Sequence, residues 1–201
     1  MAASAPFIVV TGNIAAGKST LVDRLATELG LGAYPERVEE NPFFGPPSER
    51  SLESEAWFLA DSVNTHRAIQ RGARGGVQER TVREHVAVFA HARARMGWLG
   101  EQDLDLLRTL SRLLEEGLRP PDLLIYLQAD VAALQQRIAA RSRPGEQDLD
   151  AGYLALLAEL FDELVAGWEL SPVYRLDSTG LDVRERHELG IAVEEIQEAL
   201  A

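Results

Sequence analysis

Cysteine is absent from the 201-residue sequence, and lysine occurs only once. Without cysteine the chain has no disulfide, no cysteine-bound zinc and no cysteine nucleophile, which fits a cytoplasmic protein. The opening residues MAASAPFIVVTG lack the basic segment of a secretion signal. No apolar run in the sequence reaches the roughly 18 residues of a membrane-spanning helix. We therefore expect a cytoplasmic protein without a membrane anchor.

Positive charge is also scarce. Lysine and arginine together number 20 against 32 aspartate and glutamate residues, which gives a net charge of −12. A surface of this sign repels the phosphate backbone of DNA and RNA, so a nucleic acid polymer is not expected as a partner. A small anionic ligand would need a place where arginines are concentrated.

Short apolar segments alternate with amphipathic helical ones along the chain. Five strands are predicted, within PFIVVTG, GAYP, GGVQERT, DLLIYLQA and PVYRLDS. The predicted helices between them include SLESEAWFLADSVNTHRAIQRG, with a serine cap, and a last helix over 182–201. This order predicts a three-layer α/β fold, a five-stranded parallel sheet with helices on both faces. No linker or repeat divides the chain, so 1–201 is expected to be a single domain.

The only lysine lies in the segment TGNIAAGKST, between a predicted strand and a predicted helix. Its spacing is G-x-x-x-x-G-K-[ST], the pattern of a phosphate-binding loop in P-loop NTPase-type folds. The helix N-terminus adds about half a positive charge there. Lys18 would reach the β- and γ-phosphates of a nucleotide, where a planar guanidinium has the wrong shape, and Ser19 would bind Mg²⁺. We expect the nucleotide to contact Gly12, Asn13, Ala15, Ala16, Gly17, Lys18, Ser19 and Thr20.

Three further segments carry candidate chemistry at predicted strand or helix ends. Glu36 follows the second strand, at the edge where parallel sheets bind ligands, and could accept a proton from a substrate hydroxyl. Glu79 and Arg80 end the third strand. A basic helix end carries Arg137, Arg141 and Arg143, followed by Glu146, and could clamp an anion. Taken singly, each segment also fits a structural role: a solvated glutamate, a surface ion pair or a dipole-stabilised helix end.

Together these segments resemble the deoxynucleoside kinase family. Its members carry a loop like GNIAAGKST, an EPVE-type segment similar to PERVEENPF, and a DRS or ERS motif similar to ERT. They also carry a lid helix of R-x-x-x-R-x-R form followed by glutamate, matched here at about 137–147. The similarities run in the family's order from about residue 6 to 175. The resemblance implies a kinase that uses ATP and Mg²⁺ to phosphorylate the 5′-hydroxyl of a deoxynucleoside.

The resemblance also implies roles for individual residues. Glu36 would be the general base, Arg80 would hold the 5′ region and the phosphate, and Glu79 would lie near Mg²⁺ together with Ser19. Glu146 would accept the sugar 3′-hydroxyl. The ATP phosphates would be gripped by Arg137, Arg141 and Arg143. Family members are usually dimers formed through their long helices, so a homodimer is implied, with a heterodimer as the other arrangement.

The match is weakest where the family reads the base. Aligning SEAWFL with the family's LQ-x-YFL puts Glu55 in place of the base-reading glutamine and Trp57 at an aromatic position. A second alignment puts Ala60 there and keeps Arg67 as its partner, but we prefer the first. The family's aspartate six residues past the start of ERS is His85 here. Ionised glutamate offers only acceptors, which suit guanine N1–H and N2–H, and His85 could donate to O6. We therefore expect a preference for deoxyguanosine.

Two other functions stay open at this point. A thymidylate-type monophosphate kinase shares the loop, the DR-type motif and an arginine lid. It needs a positive site for the acceptor's phosphate, and only Arg37 and Arg50 lie between Glu36 and Ser54. A catalytically weak nucleotide-binding partner subunit would explain the altered base pocket, but all the phosphate-transfer candidates are present.

Overall fold

Five parallel strands form the centre of the protein. They are β1 Phe7–Gly12, β2 Gly32–Tyr34, β3 Gly76–Glu79, β4 Leu123–Gln128 and β5 Val173–Asp177. Their order across the sheet is β2-β3-β1-β4-β5, and all four pairings are parallel. The computed structural model describes residues 5–143, 145–146, 149–180 and 193–196. The predicted five-stranded parallel fold class is confirmed.

Helices connect the strands. The regular ones are α1 Lys18–Leu29, α2 Ser51–Arg71, α4 Glu101–Glu115, α5 Val131–Arg141 and α6 Ala151–Ala166. Between β3 and α4 lies α3, composed of the consecutive segments Val82–Glu84, His85–Ala90 and His91–Arg95. Its middle segment is a π-helix, a wide turn that is rare and often found at functional sites. Residues 193–196 are helical, and the rest of the helix predicted over 182–201 lies outside the described residues.

The start of α2 differs from the prediction. Ser51 is the first helical residue rather than the cap, because the cap position belongs to Arg50, with φ of 46°. The Ser51 hydroxyl donates instead to the Pro47 carbonyl oxygen, in the turn that precedes the helix. The predicted end of the helix at Gly72 is confirmed.

The sheet is covered on both faces because its strand residues alternate between two apolar clusters. One face packs against α1 and α5, with Ile8, Val10 and Ile125 completely buried. The opposite face packs against α3 and α6, with Phe7 and Leu124 completely buried. A third cluster joins α2, α3 and α4 to one another. In the described parts of the chain, no helix is both long and apolar enough to cross a bilayer.

Candidate active site

A cleft with a volume of about 220 Å³ opens at the carboxyl ends of the strands, where parallel α/β sheets bind their ligands. The phosphate loop, the end of β3 and the lid helix α5 contribute to one part of it. Residues of α2, α3 and α6 form another part. We call these the phosphate end and the base end. The phosphate end is lined by Lys18, Ser19, Thr20, Glu36, Glu79, Arg80, Arg137, Arg141, Arg143 and Glu146, and the base end by Glu55, Phe58, His85, Phe89, Arg93 and Tyr153.

The loop between β1 and α1 is shaped by close backbone contacts. Gly12 has φ of 142°, and a side chain there would lie only 2.4 Å from the Leu127 carbonyl oxygen on β4. Gly17 also has positive φ, at 102°, immediately before the helix begins. The Asn13 side chain bridges the loop to α6 by donating to the Leu154 carbonyl oxygen at 2.9 Å. These contacts hold the loop in a narrow curve at the N-terminus of α1.

Lys18 lies beneath this loop and is only 4% exposed. Its Nζ donates to the Asn13 carbonyl oxygen at 2.8 Å and lies 3.8 Å from Glu79 Oε1. Burial and the positive charge of Arg80 together lower the pKa of Lys18 to about 8, although the carboxylates of Glu79 and Glu36 oppose the shift. A bound polyanion would favour the charged ammonium.

Arg80 is the centre of a buried ion network. Its Nε lies 2.8 Å from Glu36 Oε2, and its Nη1 lies 2.7 Å from Glu84 Oε1. Burial alone would lower its pKa, but the carboxylates of Glu36, Glu84 and Glu79 raise it well above the usual range. The residue also has φ of 70°, a left-handed conformation that is strained for a side chain and often found at functional sites. The network therefore holds a permanent positive charge beside Lys18.

Glu84 fixes this arginine from the first turn of α3. Its side chain is completely buried, and its Oε2 accepts hydrogen bonds from the Thr11 hydroxyl at 2.6 Å and the Thr81 backbone N–H at 2.8 Å. The Thr81 hydroxyl in return accepts from the Glu84 backbone N–H, which completes a capping box. The same carboxylate thus caps a helix, ties β1 to α3 and orients Arg80.

The base end contains a second buried ion pair. Arg93 Nη2 lies 3.0 Å from Glu55 Oε1, and the two residues are 6% and 2% exposed. Burial raises the pKa of Glu55 to about 7 even though Arg93 opposes the rise. His85 lies close by, with its Nδ1 4.0 Å from Glu55 Oε2. Burial lowers the pKa of His85 to about 3, so its imidazole is neutral at physiological pH.

Comparisons with known proteins agree with this geometry. A sequence-family profile described as "Deoxynucleoside kinase" matches residues 8–200. The chain is 30% identical over 175 residues to the deoxyadenosine/deoxycytidine kinase of Bacillus subtilis (strain 168), across 84% of this chain and 81% of that protein. The chain belongs to the deoxynucleoside kinase family. The deoxyguanosine kinase of the same organism is similar at 27% identity over 176 residues, across 84% of this chain and 79% of that protein.

A solved structure shows the same fold. The structure of deoxyadenosine kinase from M. mycoides with bound dATP aligns with a TM-score of 0.81 at 20% identity, across 94% of this chain and 98% of that one. The protein described here is thus a kinase with the fold of this family. Its relatives named for different bases are similar to it at comparable identity, so base preference has to be argued from its own residues.

The residues expected to bind nucleotide fall into two groups in the kinase. Ala15, Gly17, Lys18, Ser19 and Thr20 line the cleft. The others expected there, Gly12, Asn13 and Ala16, are not among the described lining residues. These three residues shape the loop instead. Gly12 allows the close approach to β4, and the Asn13 side chain joins the loop to α6. The Ala16 carbonyl oxygen accepts a hydrogen bond from the Ser178 hydroxyl at 3.0 Å.

The lid arginines line the cleft but already have partners. The Arg137 guanidinium donates to backbone carbonyl oxygens of the phosphate loop, including Ala15 at 3.5 Å, and to that of Ser178. Arg141 Nε donates to Glu146 Oε2 at 2.7 Å, and Arg143 Nη1 lies 3.6 Å from Glu146 Oε1. Glu146 is itself buried. In this structure Arg137 therefore joins the lid helix to the loop, while Arg141 and Arg143 are paired with the Glu146 carboxylate.

Trp57 and its neighbour Phe58 lie differently with respect to the cleft. Trp57 is not among the described lining residues of the cleft, whereas Phe58 is. Glu55 and Phe58 are three apart and share one face of α2, while Trp57 is rotated away and contacts Phe58 edge-on at 5.5 Å between ring centroids. Ala60 is exposed and is also not among the lining residues, so the alignment that puts Glu55 in the cleft is the one that agrees with the structure.

Sequence reasoning missed several residues of the site. The capping-box spacing of Thr81 and Glu84 was a readable signal, since T-x-x-E before an apolar run marks a helix start. Arg93 and Tyr153 gave no such signal, because they reach the cleft from helices distant in sequence. Phe89 was also missed; it lies 4.4 Å from the Arg80 guanidinium carbon, measured to its ring centroid.

Proposed function

We propose that this kinase transfers the γ-phosphate of ATP to the 5′-hydroxyl of a deoxynucleoside, with deoxyguanosine preferred. The observation that carries the proposal is that two ion pairs, Lys18 with Glu79 and Arg80 with Glu36, line a single cleft. A general base thus lies next to the cations that would hold the transferred phosphate.

The proposed chemistry assigns one step to each group. Glu36 takes the proton from the 5′-hydroxyl as that oxygen attacks the γ-phosphorus, and ADP leaves. Lys18 and Arg80 stabilise the charge that spreads over the transferred group. Arg80 also holds the Glu36 carboxylate in position through the 2.8 Å contact. One guanidinium would therefore orient both the general base and the transferred phosphate.

Mg²⁺ fits the phosphate end as a partner of the nucleotide. No cluster of three acidic or histidine side chains within the described ranges could hold an ion by itself. Mg²⁺ in kinases commonly uses one or two protein oxygens and completes its shell with phosphate and water. Ser19 and Glu79 both line the cleft and would supply such oxygens. The ion would neutralise phosphate charge during transfer.

We further propose a single cytoplasmic domain with a lid at about 137–147 that acts as a homodimer. Leu106 and Leu113 on α4 are 48% and 56% exposed and seven residues apart, so they lie on one face of that helix. An apolar face of this kind supports association through the long helices. Sedimentation of the purified protein measures the oligomeric state.

A substrate panel tests the proposed function. Purified protein is incubated with ATP, Mg²⁺ and each natural deoxynucleoside, ribonucleoside or nucleoside monophosphate, and the products are identified chromatographically. The proposal expects a 5′-monophosphate from deoxynucleosides and no diphosphate from monophosphates. Formation of diphosphates would indicate a monophosphate kinase, and ATP binding without turnover would indicate an inactive subunit.

A further inference from the structure

The base end of the cleft contains polar atoms without partners. In the described residues, buried side-chain atoms lacking a hydrogen bond include Glu55 Oε2, Arg93 Nε and Arg93 Nη1. All three belong to the same ion pair, and both residues line the cleft. Buried polar groups are almost always satisfied, and an unsatisfied charged group is especially costly. A ligand that bonds to these atoms would remove that cost.

The surroundings of the pair are suited to a flat, aromatic ligand. Phe58, His85 and Phe89 line the cleft together, with Phe58 and His85 stacked at an interplanar angle of 4°. Tyr153 on α6 also lines the cleft. Burial raises the pKa of Tyr153 to about 12, although the charge of Arg93 opposes the rise. Aromatic walls bury the faces of a base and leave only its polar edge to be read by Glu55 and Arg93.

We propose that Arg93 is a base-reading residue that donates to O6 and N7 of guanine while Glu55 accepts from N1–H and N2–H. This inference rests on the proposed function, since it assumes that a nucleoside occupies the cleft. Arginine is the side chain most often used to read O6 and N7 of guanine in DNA. Carboxylate oxygens accept more than one hydrogen bond each, so Glu55 can bind both the base and Arg93.

The order of donors and acceptors distinguishes the bases. The ion pair offers two acceptor atoms followed by two donor atoms. Guanine has the complementary order on its edge, with N2–H and N1–H followed by O6 and N7. Hypoxanthine lacks the N2 donor and matches three of the four positions. Adenine carries an amino donor between two acceptors, so it leaves part of the pair unsatisfied.

His85 has a different role from the one expected from the sequence. Burial lowers the pKa of His85, so its imidazole is neutral, and its ring stacks on Phe58. His85 therefore forms part of the aromatic wall at the base end of the cleft. Two buried nitrogens of the Arg93 guanidinium, Nε and Nη1, lack a hydrogen-bond partner, which makes Arg93 the stronger donor to O6. The substitution of an acidic residue by His85 then removes a carboxylate that would compete for Arg93.

The test is the ratio of kcat/KM for deoxyguanosine to that for deoxyadenosine. Arg93→Met is expected to lower kcat/KM for deoxyguanosine by about 10- to 100-fold and to change that for deoxyadenosine much less. Arg95→Met is the matched control, because Arg95 lies on the same helix, is exposed and pairs with Glu159 outside the cleft. It should leave both values unchanged.

Arg93→Met leaves the Glu55 carboxylate buried without its partner and could destabilise the fold, so a double variant is tested as well. Glu55→Gln with Arg93→Met removes both charges, so no unpaired ion is buried, and glutamine offers the donor and acceptor that suit adenine. We expect this variant to prefer deoxyadenosine. Retention of the wild-type ratio by either the single or the double variant would overturn the inference.

Calorimetric binding separates this inference from the proposed function. Wild-type protein should bind deoxyguanosine more tightly than deoxyinosine, and deoxyinosine more tightly than deoxyadenosine. If that order holds but no nucleoside is phosphorylated, the proposed function fails and the base-reading pair stands. If nucleosides are phosphorylated but Arg93→Met leaves the binding order unchanged, the inference fails and the proposed function stands.

Discussion

The two ends of the cleft both contain buried ion pairs but differ in how completely those pairs are satisfied. At the phosphate end, Arg80 is bound by two carboxylates, and Glu84 accepts bonds from three residues. At the base end, Glu55 and Arg93 share one contact and leave three polar atoms without partners. The network at the phosphate end is satisfied within the protein, whereas by the inference above the pair at the base end would be completed by the base of the substrate. We infer that the first end sets the rate and the second sets the choice of base.

The largest expected effect comes from Lys18. Lys18→Ala should reduce phosphate transfer below detection, since the loop loses its only side-chain cation. Lys18→Arg is the informative comparison, because it keeps the charge but places a planar guanidinium in a site that is buried beneath the loop. It should also be inactive in steady-state assays. Wild-type activity in Lys18→Arg would show that charge alone is required there.

Glu36→Gln is expected to have the next largest effect. A glutamine keeps the shape but cannot take the proton, so kcat should fall by roughly 10²–10⁴-fold with little change in ATP affinity. Glu40→Gln is a suitable control, because Glu40 is exposed and pairs with Arg37 outside the cleft. Near-normal kcat in Glu36→Gln would remove this residue from the mechanism.

Glu84→Gln tests the rigidity of the phosphate end. Breaking a buried ion pair from one side typically costs about 3–5 kcal/mol in the free energy of unfolding, because the partner charge stays buried. Glu115→Gln breaks the partly exposed pair with Arg83 and should cost at most about 1 kcal/mol. Denaturant unfolding of the two variants measures the difference. Equal costs would mean that Glu84 does not support the network.

The smallest expected effect is a pH dependence at the base end. Guanine binding requires ionised Glu55, and its pKa in the free protein is about 7. Arg93 and Arg80 favour the ionised form, Glu36 opposes it, and His85 stays neutral. The pKa of Lys18 in the free protein is about 8, so the profile is measured with saturating ATP, whose phosphates keep Lys18 charged. Under that condition kcat/KM for deoxyguanosine should rise about tenfold between pH 6 and pH 8 and then level off. Deoxyadenosine should show a weaker rise, since protonated Glu55 offers a donor as well as an acceptor.

Glu55→Gln provides the control for that pH profile. The variant has no group at this position that titrates near neutral pH, so the step near pH 7 should disappear for deoxyguanosine. A step that persists unchanged in the variant would assign the titration to another group.

The phosphate end was largely predictable from the sequence because its signals are local. Lys18 and Ser19 lie in a contiguous motif, and the ERT segment follows directly from a strand. The parallel sheet followed from the alternation of apolar strands with helices. That Phe58 rather than Trp57 lines the cleft was not predictable, because packing decides the rotation of a helix about its axis and a sequence match of one residue does not.

The base end was not predictable in the same way. Glu55 was found as a departure from a family pattern, but its partner Arg93 lies on another helix and follows a π-helical segment. Periodicity in HVAVFAHAR predicts a helix but not a wide turn within it, and the π-segment contributes to which side chains face the cleft. Burial of the pair, and hence the raised pKa of Glu55, is a property of the packed structure alone.

The most direct test of the division between the two ends compares one variant from each. The ratio of kcat/KM for deoxyguanosine to that for deoxyadenosine is measured in wild type, Glu36→Gln and Arg93→Met. We expect Glu36→Gln to lower both values by the same factor, so that the ratio is unchanged, and Arg93→Met to lower the ratio by at least about tenfold. A changed ratio in Glu36→Gln together with an unchanged ratio in Arg93→Met would contradict the account.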